Sequence, residues 1–229
     1  MKRCFVVLVL TLIGCDSHEP IATDGALIQI DFETSLGNLG RAATSGQSHD
    51  GEPEFKRGKN GEALYSLGDG RWVEFETAET ISISDTVEIS FDFRRADWVN
   101  PYKNGSGTQT VAVISSVSPT KISHISFNIA NGSSPNLQIA FEDTGGKKHR
   151  LRSEQGLVEN DWHNVRLRIN KQAKETLLYL DGERIDSIKA VPTVIHNGID
   201  RIKFGTWYKK NQAYRGEIDN FLILDANTP

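Results

Sequence analysis

The chain has 229 residues, of which 38% are hydrophobic and 24% are charged, and its formal net charge is −4 at pH 7. This composition is typical of a soluble globular protein with enough apolar side chains for a sizeable core. A mildly acidic chain lacks the basic field that neutralises phosphates, so nucleic acid is not expected as a partner.

Residues 1–15 predict a lipoprotein signal peptide. Lys2 and Arg3 form a positive start, and the apolar run that follows is too short to span a bilayer. Leu12-Ile13-Gly14-Cys15 resembles the lipobox of bacterial lipoproteins, which makes Cys15 the predicted lipidation site. An ordinary signal peptide with an incidental cysteine is the alternative. Because several acyl chains anchor a protein stably, we expect attachment to a membrane of the bacterial cell envelope, facing the periplasm or the cell surface.

The polar residues 16–25 predict a short tether, and residues 26–229 are predicted to form a single domain. Ile28, Ile30 and Phe32 alternate with polar residues and predict the first strand. Residues 34–62 are rich in glycine and have little periodicity, which indicates a long ordered loop or a weak edge region.

Turn signals and alternation predict the strands that follow. Gly68-Asp69-Gly70 indicates a hairpin between strands at 63–67 and 71–76. Further strands are predicted at 87–93, 110–117, 122–130, 137–142 and 148–152. His124, which alternates with Ile125, is expected to point outward, and Glu74 and Glu76 are expected on a solvated face.

The clearest pattern lies between residues 161 and 188. Val165, Leu167 and Ile169 alternate with polar residues, as in a strand with one buried face. A second strand at 176–180 ends at Asp181-Gly182, which suits a tight hairpin turn into a third strand at 183–188. The last strands are predicted at 201–206 and 216–224. Roughly a dozen short strands without a convincing helix indicate an all-β antiparallel sandwich.

Four motifs together resemble LamG-like jelly rolls. They are the glycine-rich run at 58–75, DWHNV at 161–165, LYLDG at 178–182, and the closing pair FG at 204–205 and GEIDNF at 216–221. The resemblance implies a concanavalin A-like jelly roll, a sandwich of two antiparallel sheets. Its superfamily contains lectins, carbohydrate-binding modules, glycosidases, polysaccharide lyases and adhesion domains, so the fold alone does not decide the function.

Catalytic constellations are incomplete in the sequence. Glu217 and Asp219 alternate as glycosidase carboxylates do, but no third carboxylate follows, so a structural role is favoured. A lyase of this fold would use a histidine and a tyrosine near an arginine, and the candidates are His196, Tyr208, Tyr214 and Arg215. The turn-like surroundings of His196 do not reproduce the lyase signature.

The resemblance also implies a calcium site. Many sandwiches of this superfamily hold a structural calcium between the first and last strands, where this chain has Glu33 and Asp219. Calcium takes roughly six to eight oxygen ligands, and only these two side chains can be identified. A cross-strand polar pair is the alternative.

The aromatic residues divide into core and ligand candidates. Trp162 and Phe221 are predicted in the core, whereas Trp72 is out of phase with its buried neighbours and faces the other side of its strand. The residues that lie in polar loops, and that could stack on sugar rings, are Trp98, Tyr102, Trp207 and Tyr208.

The sequence thus predicts a lipid-anchored, non-catalytic module that binds a carbohydrate or polysaccharide. Two alternatives stay open. The first is a protein–protein adhesion or assembly domain without a sugar site, and the second is a divergent polysaccharide lyase or glycosidase.

Overall fold

The computed structural model describes residues 23–33, 35–42, 44–96, 107–117, 122–131, 134–206 and 212–226. These residues form two antiparallel sheets packed as a sandwich, which confirms the predicted fold class. The elements are β1 Ala26–Ile30, β2 Thr44–His49, β3 Glu54–Arg57, β4 Glu62–Leu67, β5 Trp72–Ile81, β6 Thr86–Arg95, β7 Thr108–Val117, β8 Ile122–Ala130, β9 Asn136–Glu142, β10 Lys148–Arg152, β11 Trp162–Asn170, β12 Glu175–Leu180, β13 Glu183–Ile188, α1 Thr193–Asn197, β14 Ile199–Phe204 and β15 Arg215–Asp225. The predicted signal peptide, with Cys15, and the tether as far as residue 22 lie outside the described residues.

The eight-stranded sheet has the order β13-β12-β11-β6-β15-β4-β3, and β1 also pairs with β15. β15 changes its neighbour along its length, because residues 215–218 pair with β4 and residues 221–224 pair with β1. The changeover coincides with an irregularity between Asp219 and Leu222, where Asn220 has a positive φ of 51°. The first and last strands of the fold therefore lie side by side.

The hairpin predicted at Asp181-Gly182 is confirmed. β12 and β13 pair antiparallel across this turn, and the two turn residues have φ values of 52° and 85°. Positive φ at both central residues matches the strand twist, which is why Asp-Gly suits this position.

The seven-stranded sheet has the order β10-β9-β8-β7-β14-β5-β2. The hairpin predicted at Gly68-Asp69-Gly70 is wrong, because β4 belongs to the first sheet and β5 to the second. The glycines do make a turn, with φ of 75° and 96°, but the turn carries the chain from one sheet to the other. β4 pairs with β15 and β3, and β5 pairs with β14 and β2, so each strand has partners from distant parts of the chain.

The weakly periodic segment 34–62 contributes two edge strands. β2 is the last strand of the seven-stranded sheet and β3 is the last strand of the eight-stranded sheet. Of the two interpretations left open by the sequence, the structure supports the weak edge region. An edge strand has a neighbouring strand on one side only, and its side chains are covered less than those of a central strand. This explains why the hydrophobic pattern of β2 and β3 is faint.

A short helix, α1, precedes β14, although the sequence shows no convincing helix. Val194 and Ile195 are buried, and the Thr193 hydroxyl donates to the carbonyl of Glu142 at 2.9 Å. No helix within the described ranges is long and apolar enough to cross a membrane.

Phenylalanine rings from both sheets meet in the core. Phe91 and Phe221 belong to the eight-stranded sheet, and Phe204, Phe75 and Phe127 belong to the other. The ring centres of Phe204 and Phe221 are 4.9 Å apart, and those of Phe91 and Phe127 are 5.1 Å apart. All five side chains are fully buried, so the predicted core position of Phe221 is confirmed.

The core position predicted for Trp162 is wrong. On β11 the buried face carries His163, Val165 and Leu167, so period two places Trp162 on the outer face. The ring is half-buried there, and the guanidinium carbon of Arg94 lies 5.1 Å from its centre.

We expect Phe221→Ala to lower the free energy of unfolding by about 3–5 kcal/mol, because it leaves a cavity between the sheets. Trp162→Ala is the surface comparison and should cost about 1 kcal/mol or less, the usual size of a cation–π contact at the surface. Urea denaturation of the two variants measures both values. A larger loss for Trp162→Ala than for Phe221→Ala would contradict this assignment of faces.

Candidate functional site

The outer face of the seven-stranded sheet is an ordered array of side chains. We call it the open face. Strand pairing aligns one row across Glu76, Arg201, Ser115, His124 and Glu142 and ends it at Lys148 on β10. The next row runs through Glu74, Lys203, Val113, Ser126 and Ala140 and ends at Arg150. The open face thus has small residues in its middle and long charged residues on both sides.

The middle of the open face is a floor of small side chains, formed by Val113, Ser115, Ser126 and Ala140. These residues point away from the core, because they alternate with buried core residues of β7, β8 and β9. Nevertheless Ser126 is only 1% exposed and Ser115 only 7% exposed. Because these short side chains lie between longer ones, the surface is concave here. We call the floor, together with the two walls described next, the trough.

The first wall of the trough stands on β14 and β5. Arg201 and Lys203 bind Glu74, with nitrogen–oxygen distances of 3.1 Å in both cases, and Arg201 also reaches Glu76 at 2.6 Å. Both carboxylates face outward and Glu76 is exposed, as expected, but Glu74 is only 8% exposed because these cations cover it. The carboxylate tolerates this burial because two cations neutralise it.

Trp72 extends the first wall and faces outward, in agreement with its phase in the sequence. His49 of the edge strand β2 stacks against it with ring centres 4.8 Å apart and planes 9° apart. The ammonium nitrogen of Lys203 lies 4.7 Å from the centre of the Trp72 ring. The half-buried indole is thus held between an imidazole and a cation.

The second wall lies on β9 and β10, beside a groove of about 490 Å³. The groove is lined by His124, Ser126, Ala140, Phe141, Glu142, Lys148, His149 and Arg150. Burial lowers the pKa of His124, Lys148 lowers that pKa further, and Glu142 opposes the change. His124 does point outward, as the sequence predicts, and a neutral imidazole offers both a donor and an acceptor to a ligand.

The turn between β9 and β10 is fixed by Asp143. Its carboxylate accepts hydrogen bonds from the backbone N–H groups of Gly145 and Lys147 at 2.9 and 3.0 Å. Asp143 also lies 2.6 Å from the Nε2 atom of His149, which is the main reason that its pKa is lowered. This network orients the start of β10, and therefore the position of Lys148 beside the groove.

The four aromatic residues predicted to bind sugar lie outside the described residues: Trp98, Tyr102, Trp207 and Tyr208. The described strands next to them share one rim of the sandwich. Phe204, near the end of β14, is opposite Ala112 of β7, and Thr110 forms an isolated bridge with Ala213. The chain therefore leaves and re-enters the described fold at the same rim on both sides of these segments.

The predicted calcium ligands lie on either side of one turn. Both carboxylate oxygens of Glu33 accept a hydrogen bond from the backbone N–H of Glu62 at 3.2 Å. The Oδ2 atom of Asp219 accepts from the N–H groups of Lys59 and Asn60 at 3.0 and 3.5 Å. The turn fills the place where β15 changes from β4 to β1, so its N–H groups need side-chain acceptors.

Asp219 is completely buried. Burial raises its pKa to about 6, and the nearby carboxylate of Asp92 adds to the rise, while the N–H groups of Lys59, Asn220 and Asn60 act in the opposite direction. In the described part of the chain, no three His, Cys, Asp or Glu side chains are grouped as metal ligands. With N–H donors around both carboxylates, Glu33 and Asp219 do not fit a calcium site. They do not form the predicted cross-strand pair either, because each binds the turn separately.

Calcium binding itself stays an untested prediction, which melting temperatures can decide. A ligand that binds only the folded state raises its stability. From the geometry we expect the same melting curve with calcium and with a chelator. A calcium-dependent rise that disappears in Asp219→Asn, and persists in the exposed-carboxylate control Glu183→Gln, would instead establish the calcium site.

The catalytic alternatives are not assembled among the described residues. Arg94 holds Glu217 with two hydrogen bonds, at 3.0 and 3.2 Å, and Glu217 is 7% exposed. The Tyr214 hydroxyl donates to the carbonyl of Arg94 at 2.8 Å inside the core, and burial raises the pKa of this tyrosine well above its usual value. His196 lies before β14 and Tyr214 lies after it, so the two are separated by the length of that strand, roughly 20 Å.

The sequence analysis missed the trough. A signal was present, because four consecutive strands between residues 108 and 152 carry small or polar residues at their outward positions. Recognising a floor required the register between these strands, which the alternation within each strand does not provide.

Comparisons with known proteins agree with this architecture. Residues 67–227 match the Laminin_G_3 family model, of the concanavalin A-like lectin/glucanases superfamily. No curated protein sequence matches the chain.

Solved structures share the fold at low sequence identity. The binding domain of Paraclostridial Mosquitocidal Protein 1 has a TM-score of 0.66 and 17% identity, over 90% of this chain and 50% of that one. The receptor binding domain of botulinum neurotoxin D has a TM-score of 0.65 and 17% identity, over 90% and 50%. Domain 4 of AbnA, a GH43 extracellular arabinanase from Geobacillus stearothermophilus, in complex with arabinotriose, has a TM-score of 0.64 and 14% identity, over 87% and 92%. The chain thus spans about half the length of the two toxin binding domains.

Proposed function

Because the chain belongs to the Laminin_G_3 family of the concanavalin A-like lectin/glucanases superfamily, we propose that it is a non-catalytic module that binds a carbohydrate or polysaccharide. The trough on the open face carries this proposal. Its floor is made of small side chains, two of them serines, and long side chains with hydrogen-bonding groups stand along both sides. Two structural neighbours are named as binding domains, one of a mosquitocidal protein and one of a neurotoxin, and a third is an arabinanase domain in complex with arabinotriose.

The dimensions of the trough suit a sugar chain that lies along the strands. β14 and β10 are four strand spacings apart, which corresponds to roughly 19 Å between their backbones. Sugar hydroxyls both donate and accept hydrogen bonds, and the trough offers both kinds of group in Lys148, His124 and Glu142. A few convergent polar groups in a concave surface are typical of small-ligand sites.

The rim beside the trough adds the aromatic element of the proposal. Trp98 and Trp207 belong to segments that begin and end at this rim, and flat aromatic faces stack on pyranose rings. We expect Trp98→Ala or Trp207→Ala to weaken glycan binding by at least about tenfold, equivalent to roughly 1.4 kcal/mol. The melting temperature should hardly change, because a stacking residue at the surface does not belong to the core. A glycan array followed by titration of the hits measures binding.

A second variant tests the trough itself by filling its floor. Ala140→Leu should reduce the same binding, since it inserts a larger side chain between Ser126 and Arg150. The control is Leu177→Ala, a half-buried position on the outer face of the other sheet. Loss of stability without loss of binding in the tryptophan variants would sink the sugar proposal. Unsaturated or reducing-end products from mixed polysaccharides would support the enzyme alternative.

A protein–protein adhesion module is the second candidate, and the outer face of the eight-stranded sheet favours it. The guanidinium carbon of Arg166 lies 4.2 Å from the ring centre of Tyr179, and Arg94 covers Trp162 in the same way. Aromatic residues and arginine are enriched in protein interfaces. Under this alternative, substitutions at Trp162 and Tyr179 would abolish partner binding, whereas the trough variants would have no effect.

A lipid on Cys15 would place the module at the bacterial cell envelope, facing the periplasm or the cell surface. The basis is the sequence Leu12-Ile13-Gly14-Cys15 after a short apolar run. We expect Cys15→Ser to abolish labelling with radioactive palmitate and to release a soluble or unprocessed protein. Cys4→Ser is the matched control and should be labelled as the parent is. Equal labelling of Cys15→Ser and the parent would contradict the anchor.

A further inference from the structure

The charged side chains of the trough indicate which class of carbohydrate it binds. This inference rests on the proposed function. We propose that the trough binds an anionic polysaccharide, one that carries carboxylate or sulfate groups, through Lys148, Arg150 and Arg152. We call these three residues the cationic strip.

The cationic strip is continuous along β10. The three residues occupy alternate positions of the strand, so their side chains stand on the same face, with successive positions roughly 7 Å apart. All three side chains are exposed. The buried residue between two of them, Leu151, points into the core and confirms that the strip faces the trough side of the sheet.

The strip differs from other cations on the sheet faces because its side chains form no ion pair with a carboxylate of the described residues. Most of the others are paired: Arg94 with Glu217, Arg166 and Arg168 with Glu88, and Arg201 and Lys203 with Glu74. Within the described ranges, no carboxylate lies at ion-pair distance from Lys148, Arg150 or Arg152. Three neighbouring cations whose side chains pair with no carboxylate of the described residues favour an external anion.

The strip has a carboxylate near each end but not at its middle. Lys148 is opposite Glu142, whereas Arg150 and Arg152 are opposite the neutral residues Ala140 and Gln138. The backbone N–H of Arg152 donates to the Asp186 carboxylate at 2.9 Å. Arginine can bind a carboxylate or a sulfate through two parallel N–H bonds. Since the whole chain carries a net charge of −4, the strip is a local exception on an acidic protein. A polyanion would therefore bind here and be repelled by much of the remaining surface.

β10 is also the edge strand of its sheet, and charged side chains on an edge prevent pairing with other chains. Edge protection requires charge but no ligand. It does not require a groove beside the strand or neutral neighbours on β9, whereas β10 borders a groove and has neutral neighbours at two of its three cationic positions. Edge protection and ligand binding differ in one measurable respect: only ligand binding predicts that removing the three charges weakens the binding of an anionic polysaccharide.

The test compares ligands that differ in charge but share a backbone. The full chain, purified in detergent, is titrated with polygalacturonate and its methyl ester, and with dextran sulfate and dextran. We expect the anionic member of at least one pair to bind at least about tenfold more tightly than the neutral member, and its affinity to fall as salt is added. The triple variant Lys148→Gln, Arg150→Gln, Arg152→Gln should lose this preference.

The matched control removes one lysine and two arginines elsewhere, as Lys174→Gln, Arg57→Gln, Arg168→Gln, and should keep the preference. An equal preference in both triple variants would overturn the inference, because only net charge would then matter. Equally tight binding of polyglutamate would also overturn it, since that polymer has no sugar rings. Binding of neutral glycans that depends on Trp98 or Trp207, without any preference for anionic ones, would refute the inference and leave the proposed function standing.

Discussion

The packing of phenylalanine rings between the two sheets determines the rest of the structure. Phe221 and Phe204 come from opposite sheets and meet at 4.9 Å, and further rings surround this contact. Because side chains alternate along a strand, a ring that points inward forces its neighbours to point outward. Phe204 in the core thus places Lys203 on the open face, and Phe127 in the core does the same for Ser126. The residues of the trough therefore alternate along the same strands with the residues of the core.

Local features of the fold could be predicted from the sequence, and features that depend on distant partners could not. The alternation around Val165 and the turn at Asp181-Gly182 need only neighbouring residues, and both were predicted correctly. The error at Gly68-Asp69-Gly70 arose because a turn signal does not say whether the next strand pairs with the previous one. Trp162 was assigned by its residue type, although the phase of β11 already placed it outside. Reading phase before hydrophobicity would have avoided that mistake.

In the candidate site, too, local features could be predicted and those that depend on strand register could not. His124 and Trp72 were expected on outward faces, and they are. The floor between the walls exists only because β7, β8 and β9 lie side by side in one register, so no single strand reveals it. Glu33 and Asp219 were both assigned to the junction of the first and last strands. What the sequence could not show is the turn between them, whose N–H groups occupy both carboxylates.

The junction of the first and last strands also has a mechanical consequence. If the tether transmits a pull from the membrane, the load enters the fold at Ala26, the first residue of β1, which is opposite Leu224. β1 has five residues; among the described strands it pairs with β15, and on its other side it accepts backbone hydrogen bonds from Leu39, Arg41 and Ala42. The hydrogen bonds of Glu33 to Glu62 therefore act as a second fastening point, beyond the end of β1. A pull on the N-terminal side would therefore first load the hydrogen bonds on both sides of β1 and then those of Glu33, before it reached the larger strands of the sandwich.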